Sequence, residues 1–373
     1  MNNEKHLMSN FSANEEIYLK IGYKVARNLF EIMNEDLVII NSLSTNYYSF
    51  TFSMDIKVSN EHKHVFVKIP KVDMRGISPR ILPISAEDKV MAIHEESSLK
   101  FLEKNWNNDE SEVSWVKLLG TIPEYNAIIT ERIFANEVLT TYRYWDLYRR
   151  FGFFNGNQKL QQSISKIGLA LGKFHNKSEV KESVYLSELL PKIEFYCGQV
   201  SANSKSVWPN YILKELQSLK DEKFNCFKVT TLKGIDIRNV LIDSKGMLYM
   251  LDPGKLKISY AEADVARFIM TYRILFWGSI ILPIFKEPSS KAEQSFVSAY
   301  QLNTSYSDPQ LLNLFLLKEQ LKHWYIALDS LQRLPWPSII KSIIKFFYVD
   351  LFYVRQVSVQ LDVIKKGVKD LSL

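Results

Sequence analysis

The sequence predicts an α+β protein in which a strand-rich N-terminal third is followed by a mostly helical remainder. Between residues 37 and 134, short segments rich in Val, Ile, Phe and Tyr alternate with polar turns, which is typical of β-strands. From about residue 136 onward, apolar residues recur at helical spacing. Within this helical part, residues 240–242 and 247–251 predict two short strands joined by a turn, because Asp, Ser and Gly separate the apolar runs.

Length and composition are those of an ordinary globular protein. The chain has 373 residues, of which 46% are hydrophobic and 24% charged, which is enough for two domains with separate cores. Two cysteines are too few for a disulfide framework or a four-cysteine zinc site, so a reducing compartment fits best. The polar first 25 residues do not resemble a signal peptide, and the longest apolar run, 274–285, is too short to span a bilayer. We expect a cytoplasmic protein.

The net charge of +6 favours anionic partners such as nucleotides, anionic substrates or a membrane surface, but it is equally compatible with a mildly basic solvated surface. The sequence has no internal repeat and no helix or zinc motif typical of nucleic-acid recognition, so no nucleic-acid partner is expected. The oligomeric state is left open by these patterns.

The N-terminal elements follow from the apolar spacing and from the polar turns. In order, we expect a helix over 14–34, strands over 37–40, 47–58 and 64–69, a helix over 86–105, and strands over 113–121 and 127–134. A polar segment of small residues at 41–46 separates the first two strands and predicts a connecting loop. The five strands would form one sheet.

Two charged side chains stand out because their neighbours are apolar. Lys68 lies in the strand segment 65–69, where burial is costly unless the ammonium meets an anion; the alternative is an edge-strand lysine that faces solvent. Glu95 shares one helix face with Leu99 and Leu102, at i, i+4 and i+7, which would hold an inward carboxylate beside core leucines. An exposed surface role for Glu95 is the alternative.

The helical part begins with a strongly amphipathic segment at 161–177, followed by helical segments near 185–200 and 208–221 and by a helix that opens near Ala263. The tail from about 290 to 373 is helical and aromatic. Its segment 338–366 combines lysines with isoleucines and phenylalanines, so it could contact anionic lipid, line an acceptor pocket, or pack against the rest of the helical part.

The hairpin at 240–251 has chemistry-bearing residues at both ends. Asp236, Arg238 and Asn239 precede its first strand, and Asp252 follows its second strand within an Asp-Pro-Gly sequence. Because the chain leaves and returns over one hairpin, Asn239 and Asp252 are expected to lie close together. Amide and carboxylate oxygens are ligands that suit Mg²⁺, the usual carrier of the phosphates of a nucleotide.

These residues resemble the kinase-fold phosphotransferases of the aminoglycoside phosphotransferase and choline kinase type. In that pattern a His-Gly-Asp loop ends in an Asn, a hairpin follows, and an Asp-x-Gly closes it. Here Lys233 and Gly234 loosely match the His-Gly, and Asn239 and Asp252 are 13 positions apart, a separation that the kinase fold commonly uses. The position of the family's catalytic Asp holds Gly234, and the nearest acid is Asp236. Either Asp236 serves as the base in a shortened loop, or the site is degenerate.

The resemblance implies a bilobal protein-kinase-like fold. A nucleotide-binding lobe, residues 1–134, would contain an antiparallel five-stranded sheet and a helix. A mostly helical lobe, residues 135–373, would contain the catalytic loop, the Asp-Pro-Gly segment and the acceptor-binding helices. Lys68 would reach the nucleotide phosphates and pair with Glu95. Further nucleotide contacts would come from the 41–46 segment and from the hinge between the lobes, at Ser42, Ser44, Glu131 and Ile133.

By the same resemblance, the cofactors are ATP or GTP and Mg²⁺, with Asn239 and Asp252 as metal ligands. Asp236 would accept the proton of an acceptor hydroxyl, and Arg238 would bind a phosphate or an anionic acceptor, or else pair with a neighbouring acid. The implied activity is phosphoryl transfer from ATP to a hydroxyl of a small molecule, a sugar, or a glycan or lipid-linked saccharide. The alternative is a pseudokinase-like protein that binds nucleotide or acts as a scaffold. His175 and Asp264 are interpreted as supporting residues.

Overall fold

A computed structural model of the chain describes residues 2–33, 37–46, 48–59, 61–72, 80–106, 112–138, 140–141, 158–277, 290–304 and 308–371. The chain divides into two compact units. The first consists of Met1–Asn136 and Leu241–Leu256, and the second of Glu137–Val240 and Lys257–Leu373. The hairpin segment, which the sequence interpretation assigned to the helical lobe, therefore belongs largely to the first unit.

The N-terminal elements match the predicted order of a helix, three strands, a helix and further strands. They are α1 (Asn2–Phe30), β1 (Val38–Asn46), β2 (Ser49–Val58), β3 (Glu61–Pro70), α2 (Ala86–Asn105), β4 (Val113–Trp115), β5 (Leu118–Ile122), a 3₁₀ turn (Pro123–Tyr125), β6 (Ala127–Glu131) and β7 (Asn136–Glu137). Helix α2 has the predicted bounds, and a capping box between Ser85 and Asp88 fixes its start.

The remaining elements are mostly helical, as predicted. They are α3 (Gln158–Asn176), β8 (Val180–Tyr185), α4 (Leu186–Asn203), α5 (Trp208–Gln217), β9 (Lys223–Leu232), a 3₁₀ turn (Ile237–Asn239), β10 (Val240–Ile242), β11 (Leu248–Met250), β12 (Leu256–Tyr260), α6 (Glu262–Trp277), α7 (Ser290–Gln301), α8 (Pro309–Arg333), α9 (Ser338–Ile344), a π-helical turn (Lys345–Asp350) and α10 (Leu351–Leu371). Most of the apolar run 274–285 lies outside the described residues. None of the described helices combines the length and apolar character that crossing a bilayer requires.

The first unit is built on an antiparallel five-stranded sheet, which confirms the predicted fold class. Its strand order is β1-β2-β3-β6-β5. Alternate residues of β2 and β3 enter a core that α1 covers from one side, since the side chains of a strand point to opposite faces in turn. The core side chains of these elements include Ile21, Val25, Phe50, Phe52, Met54, Ile56, Val65, Val67 and Ile69.

Two of the predicted strand boundaries are wrong. The 41–46 segment is part of β1 and contains a β-bulge, because three steps from Asn41 to Ser44 face two steps of β2; a connecting loop was predicted there. The predicted strand 113–121 is divided into β4 and β5, which lie in different sheets. Propensity alone does not show this division, because both pieces are short and rich in β-favouring residues.

The hairpin forms the core of a second small sheet, with the strand order β4-β11-β10-β7. Strand β11 pairs with β4 in parallel, with Leu248 opposite Val113 and Met250 opposite Trp115. The Asp243 carboxylate accepts hydrogen bonds from the backbone N–H groups of Lys245 (2.8 Å) and Met247 (2.9 Å), so the predicted turn is held by its own side chain.

The second unit contains a three-stranded sheet, in the order β12-β9-β8, that the sequence interpretation missed. Strands β8 and β9 pair antiparallel, with Glu182 opposite Cys226. The helices carry most of the core. On α3, the predicted inward residues Ile164, Ile167, Leu171 and Phe174 are all buried, which confirms the helix face predicted from the sequence.

Two glycines of α3 allow the close approach of α7. A Cβ atom added at Gly168 would lie 2.3 Å from the carbonyl oxygen of Phe296, and one at Gly172 would lie 2.5 Å from that of Tyr300. Both neighbours are backbone atoms, which cannot rotate away as the end of a side chain can. The two helices therefore pack at a separation that only glycine permits at these positions.

We expect Gly168→Ala to destabilise the protein by about 2–4 kcal/mol, because α3 and α7 must move apart and the core between them opens. Gly198→Ala on α4 is the matched control, since a Cβ at that position meets nothing within 4 Å. The control should be neutral or more stable by up to about 1 kcal/mol, through helix propensity. Urea unfolding of the three proteins measures the difference; equal stability of Gly168→Ala and wild type would contradict the packing argument.

Candidate active site

The first unit contains a buried lysine held between two carboxylates. Lys68 on β3 places its Nζ atom 2.9 Å from Oε1 of Glu95 on α2 and 3.1 Å from Oδ1 of Asp252, which follows β11. The side chains of Lys68 and Glu95 are 17% and 10% exposed, whereas that of Asp252 is 47% exposed. The three residues come from distant parts of the sequence, and the predicted pairing of Lys68 with Glu95 is present.

The strand and helix patterns explain this arrangement. Val67 and Ile69 enter the main core, so Lys68 points to the opposite face of the sheet, where α2 lies. On α2, Glu95 and Leu99 are buried on one face, and Leu99 joins a small apolar cluster with Ile128. An ammonium on this face needs an anion nearby, since burying an unpaired charge is costly.

Lys71, the other lysine near the end of β3, has a structural role. Its Nζ atom lies 2.9 Å from Oδ2 of Asp88, and it donates to the carbonyl oxygens of Ile81 and Pro83. Asp88 also accepts the backbone N–H groups of Val72 and Ser85. These contacts hold Lys71 and Val72 against the start of α2. Lys68, and not Lys71, is therefore the lysine available for the site.

The Asp-Pro-Gly segment is fixed to the helix that carries Glu95. The Ser98 hydroxyl lies 2.7 Å from the carbonyl oxygen of Gly254, and Ser98 is buried on α2. Asp252 has a φ of 46°, in the left-handed region that Asn, Asp and Gly tolerate best. This backbone conformation and the Ser98 contact hold the Asp252 carboxylate beside Lys68 while about half of its surface stays accessible.

Electrostatics in this triad is dominated by burial. The pKa of Glu95 is raised to about 7. Burial is the main cause and the Asp252 carboxylate acts in the same direction, whereas Lys68 lowers the pKa. Burial also opposes the charge of Lys68, but Glu95 and Asp252 outweigh it and raise the pKa of Lys68. Lys68 is therefore charged at neutral pH, and Glu95 gains its charge close to neutrality.

The raised pKa of Glu95 predicts a pH-dependent stability. Between about pH 4.5 and 7 the folded state keeps a proton on Glu95 that the unfolded state releases, so this group makes the free energy of unfolding fall as pH rises. The isosteric variant Glu95→Gln cannot lose that proton. Relative to wild type, it should be near neutral at about pH 5 and more stable by about 3 kcal/mol at about pH 8. Urea unfolding at both pH values measures the difference, and a pH-independent effect would contradict it.

The second unit contains the loop that precedes the hairpin, and here Asp236 is paired with Arg238. The Asp236 carboxylate accepts the backbone N–H of Arg238 (2.9 Å) and the Nε of its guanidinium (3.0 Å to each oxygen), and it also accepts Nη2. Asp236 is buried and caps the 3₁₀ turn 237–239, whereas the Arg238 side chain is 57% exposed. The hydrogen bonds from Arg238 occupy both carboxylate oxygens.

Asn239 is held at the end of the same turn. Its Nδ2 donates to the carbonyl oxygen of Gly234 (3.0 Å), and its backbone N–H donates to that of Asp236 (3.0 Å). Because the amide nitrogen is used within the loop, the side-chain oxygen Oδ1 points the other way, as an acceptor. The sequence predicts Asn239 and Asp252 as the two metal ligands. In the structure the Asn239 side chain is held by Gly234 in the second unit, and the Asp252 side chain is held by Lys68 in the first unit.

Two buried residues support the base of this loop, as predicted. Asp264 on α6 accepts the backbone N–H of Leu232 (2.6 Å), and His175 contacts Asp264 through Nε2 (3.3 Å) and the Tyr300 hydroxyl through Nδ1 (2.9 Å). The sequence interpretation did not single out Arg267, whose Nη1 donates to the carbonyl oxygens of Leu232 and Lys233. Its position, three residues after Asp264 on the same helix face, was the available signal.

A buried ionic cluster on α8 extends from Arg267. The carboxylate of Glu319 lies 2.7 Å from Nζ of Lys322 and 3.2 Å from Nζ of Lys318. Burial opposes the charge of Glu319, but the neighbouring cations outweigh it and lower its pKa to about 2. Burial lowers the pKa of His323 to about 4, and the charges of Asp236 and Arg238 act on the same ring. Burial also lowers the pKa of Lys318 to about 8, and Arg267 is paired with Asp264 (3.5 Å), so the charges of this cluster are largely compensated.

The remaining predicted nucleotide contacts are less distinctive. Glu131 ends β6, and its carboxylate accepts the backbone N–H of Lys117 (2.9 Å); Ile133 packs on the apolar cluster beside α2. Ser42 and Ser44 are exposed in the bulged part of β1, where Ser42 has a φ of 52°. The segment 41–46 is a bulged part of β1 and not the predicted connecting loop, because hydrogen-bonded pairing with β2 continues to Asn46. The contact of Ser42 and Ser44 with nucleotide phosphates stays a prediction.

Comparison with solved structures finds small-molecule kinases that match over nearly the whole chain. A choline kinase from Cryptosporidium parvum Iowa II is 14% identical, with a TM-score of 0.52 and 96% of each chain covered. An amicoumacin kinase in complex with AMP-PNP, Ca²⁺ and Ami gives the same values. A thermostable mutant of an aminoglycoside phosphotransferase, in ternary complex with ADP and hygromycin B, is 11% identical, with a TM-score of 0.50, over 93% of this chain and 98% of that chain.

No protein-family model matches the chain, and no curated protein does so either. The chain shares the fold of these solved structures, which confirms the predicted protein-kinase-like fold.

Proposed function

We propose that the protein is an ATP- and Mg²⁺-dependent phosphotransferase that acts on a hydroxyl group of a small molecule or saccharide. The observation that carries the proposal is the buried Lys68, held by Glu95 at 2.9 Å and by the half-exposed Asp252 at 3.1 Å. Two carboxylates fix the lysine in one position, and the half-exposed Asp252 lies on the side of the lysine that is open to solvent. An ammonium fixed in this way can bind the phosphates of a nucleotide.

The donor groups fit a magnesium ion that carries a nucleotide. Asp252 offers a carboxylate that is about half accessible, and Asn239 offers an amide oxygen whose partner nitrogen is already bonded to Gly234. Mg²⁺ prefers hard oxygen ligands and commonly uses one or two protein groups together with substrate phosphates and water. When bound, the ion would neutralise the charge that develops on the transferred phosphoryl group. Asp252 and Asn239 would hold it, and Glu131 and Ile133 would contact the nucleotide base through backbone groups.

Asp236 and Arg238 belong to the acceptor side of this proposal. Asp236 would orient the acceptor hydroxyl and take its proton, which requires Arg238 to release at least one carboxylate oxygen. Because the Arg238 side chain is exposed, it can turn towards a phosphate or an anionic acceptor. The structural neighbours named for choline, amicoumacin and aminoglycoside support a small-molecule acceptor.

A second candidate is a protein that binds nucleotide without transferring phosphate. The observation that favours it is the pairing of both Asp236 oxygens with Arg238, together with Gly234 at the position where the resembling family has its catalytic acid. Carboxylate oxygens that are hydrogen-bonded to a guanidinium are less available to the hydroxyl of an acceptor. In this candidate the Lys68 site still binds nucleotide, and the 3₁₀ turn serves only to hold Asn239.

Nucleotide binding and turnover test the proposal together. Binding of ATP with Mg²⁺ to the whole protein is followed by calorimetry, and ADP release is followed with a panel of amino alcohols, sugars and phosphorylated sugars. Lys68→Met should weaken ATP binding about a hundredfold, through loss of a charge-assisted contact of about 2–3 kcal/mol. Lys63→Met is the matched control, because Lys63 lies on the same strand but pairs with the exposed Glu61. Lys68-dependent binding without ADP release would favour the second candidate, and absence of binding would exclude both.

A further inference from the structure

A segment rich in exposed apolar side chains follows the end of α8. Residues 333–351 comprise the last residue of α8, a turn containing two prolines, α9, the π-helical turn and the first residue of α10. Six large apolar side chains of this segment are between 46% and 72% exposed: Trp336, Ile339, Ile343, Phe346, Phe347 and Leu351. We call this segment the 333–351 surface.

The exposure does not arise from a loosely attached helix end. Val349, Phe352 and Tyr353 are buried, and the Tyr353 ring stacks on Trp324 of α8. The Asp350 carboxylate accepts a hydrogen bond from Nε1 of Trp324 (2.8 Å). These contacts fix the rotation of the helix about its axis, so the apolar residues on the other side face outward in a defined register.

The exposed apolar area of this surface is comparable to the largest apolar patch of a typical monomeric protein. An aromatic side chain buries roughly 150–250 Å² when it is enclosed, so the three half-exposed aromatic residues alone present about 300 Å². The three aliphatic side chains add to this. A typical monomer has a largest apolar patch of about 300–600 Å², and patches at the upper end commonly mark an interaction site.

The charges around the surface select its partner. The one acid within the 333–351 surface is Asp350, whose carboxylate accepts hydrogen bonds from Trp324 and Ser204. Arg333 is paired with Asp329 (2.8 Å), so the basic charge among the exposed apolar residues comes from Lys341 and Lys345. Apolar and aromatic side chains bordered by basic residues are typical of helices that lie in the headgroup region of an anionic bilayer. A two-fold interface between copies would instead place this basic segment against itself.

We propose that the 333–351 surface docks the protein on an anionic phospholipid membrane, with its phenylalanine and isoleucine side chains inserted at the level of the headgroups and its basic residues in contact with lipid phosphates. The proposal stands on the exposed side chains and their charge pattern, and it does not depend on the phosphotransferase activity.

Vesicle flotation with the full chain tests the proposal. Wild type should float with vesicles of phosphatidylcholine and phosphatidylserine, and much less with phosphatidylcholine alone or at raised ionic strength. The double variant Phe346→Ser/Phe347→Ser should reduce the bound fraction about tenfold or more. Phe195→Ser is the matched control, because Phe195 is 56% exposed on α4, outside this surface, and it should bind as wild type does. Lys345→Gln should weaken binding to the anionic vesicles only.

Several results would overturn the proposal. If wild type stays in the soluble fraction with anionic vesicles, the proposed membrane docking is wrong. Equal loss of binding in Phe195→Ser would show that the effect is not specific to this surface. Sedimentation of wild type as a dimer that Phe346→Ser/Phe347→Ser dissociates would assign the surface to contacts between copies. Circular dichroism of the double variant should match wild type, since both phenylalanines are more than half exposed and their removal leaves the core intact.

Discussion

Replacing Asp252 is expected to abolish phosphoryl transfer. Asp252→Ala removes the half-exposed carboxylate beside Lys68, and with it the acidic ligand proposed for Mg²⁺. A bound metal ion contributes several kcal/mol of charge stabilisation in the transition state, so turnover with Mg²⁺ and ATP should fall by about a thousandfold or more. Steady-state ADP release measures this directly, once an acceptor has been found.

A second variant is needed at Asp252, because its left-handed backbone conformation makes alanine destabilising as well as inactivating. Alanine at a φ of 46° is strained by roughly 1 kcal/mol, so Asp252→Ala also loses some stability. Asp252→Asn tolerates this conformation and retains one oxygen ligand, but it lacks the charge. Both variants should lose turnover while Asp252→Asn unfolds near the wild-type midpoint. Asp221→Asn, a substitution at an exposed residue in a turn of the second unit, serves as the control. Turnover in Asp252→Asn within about threefold of wild type would remove the metal-ligand role.

Replacing Asp236 is expected to separate catalysis from binding. If Asp236 takes the proton of the acceptor, Asp236→Asn should lower kcat by about 10²–10⁴-fold and leave the Kd for ATP nearly unchanged. Full phosphotransfer by Asp236→Asn would remove Asp236 from the role of base.

Arg238 distinguishes a catalytic from a structural Asp236. Arg238→Ala removes the guanidinium from both carboxylate oxygens and leaves the backbone N–H of residue 238 on Oδ1. If the ion pair only maintains the 3₁₀ turn, Arg238→Ala and Asp236→Asn should have the same effect on turnover. If Asp236 is the base, Arg238→Ala should keep far more activity than Asp236→Asn, and its main defect should be a raised KM for a negatively charged acceptor.

Much of the candidate site could be predicted from the sequence, because it depends on local patterns. Helix α2 was predicted with its observed bounds, and the spacing of Glu95 and Leu99 places both on the buried face. Lys68 was marked by its apolar neighbours, and the pairing with Glu95 follows once the strand and the helix face each other. The turn of the hairpin was equally local, since Asp243 and Gly246 define it without help from the rest of the chain.

The wrong strand predictions have a common physical cause, which is pairing with strands elsewhere in the sequence. Residues 41–46 are polar and small, which favours a loop, yet pairing with β2 keeps them in a bulged strand. Strands β4 and β5 are consecutive in sequence but pair with different partners, β11 and β6. Asp236 and Arg238 are a different case. Pairing of Arg238 with a neighbouring acid is one of the alternatives in the sequence analysis, because an acid and a base two residues apart meet only in the conformation of the 3₁₀ turn.

The return of residues 241–256 to the first unit limits how this chain can be divided. The polypeptide passes between the two units three times, after Asn136, Val240 and Leu256. A fragment that ends at Asn136 would leave β4 without its neighbour β11, and Lys68 without one of its two anions. Truncation alone would therefore remove a strand and a candidate site residue together. To make the first unit as a separate protein, the hairpin 241–256 would have to be joined covalently to the N-terminal segment.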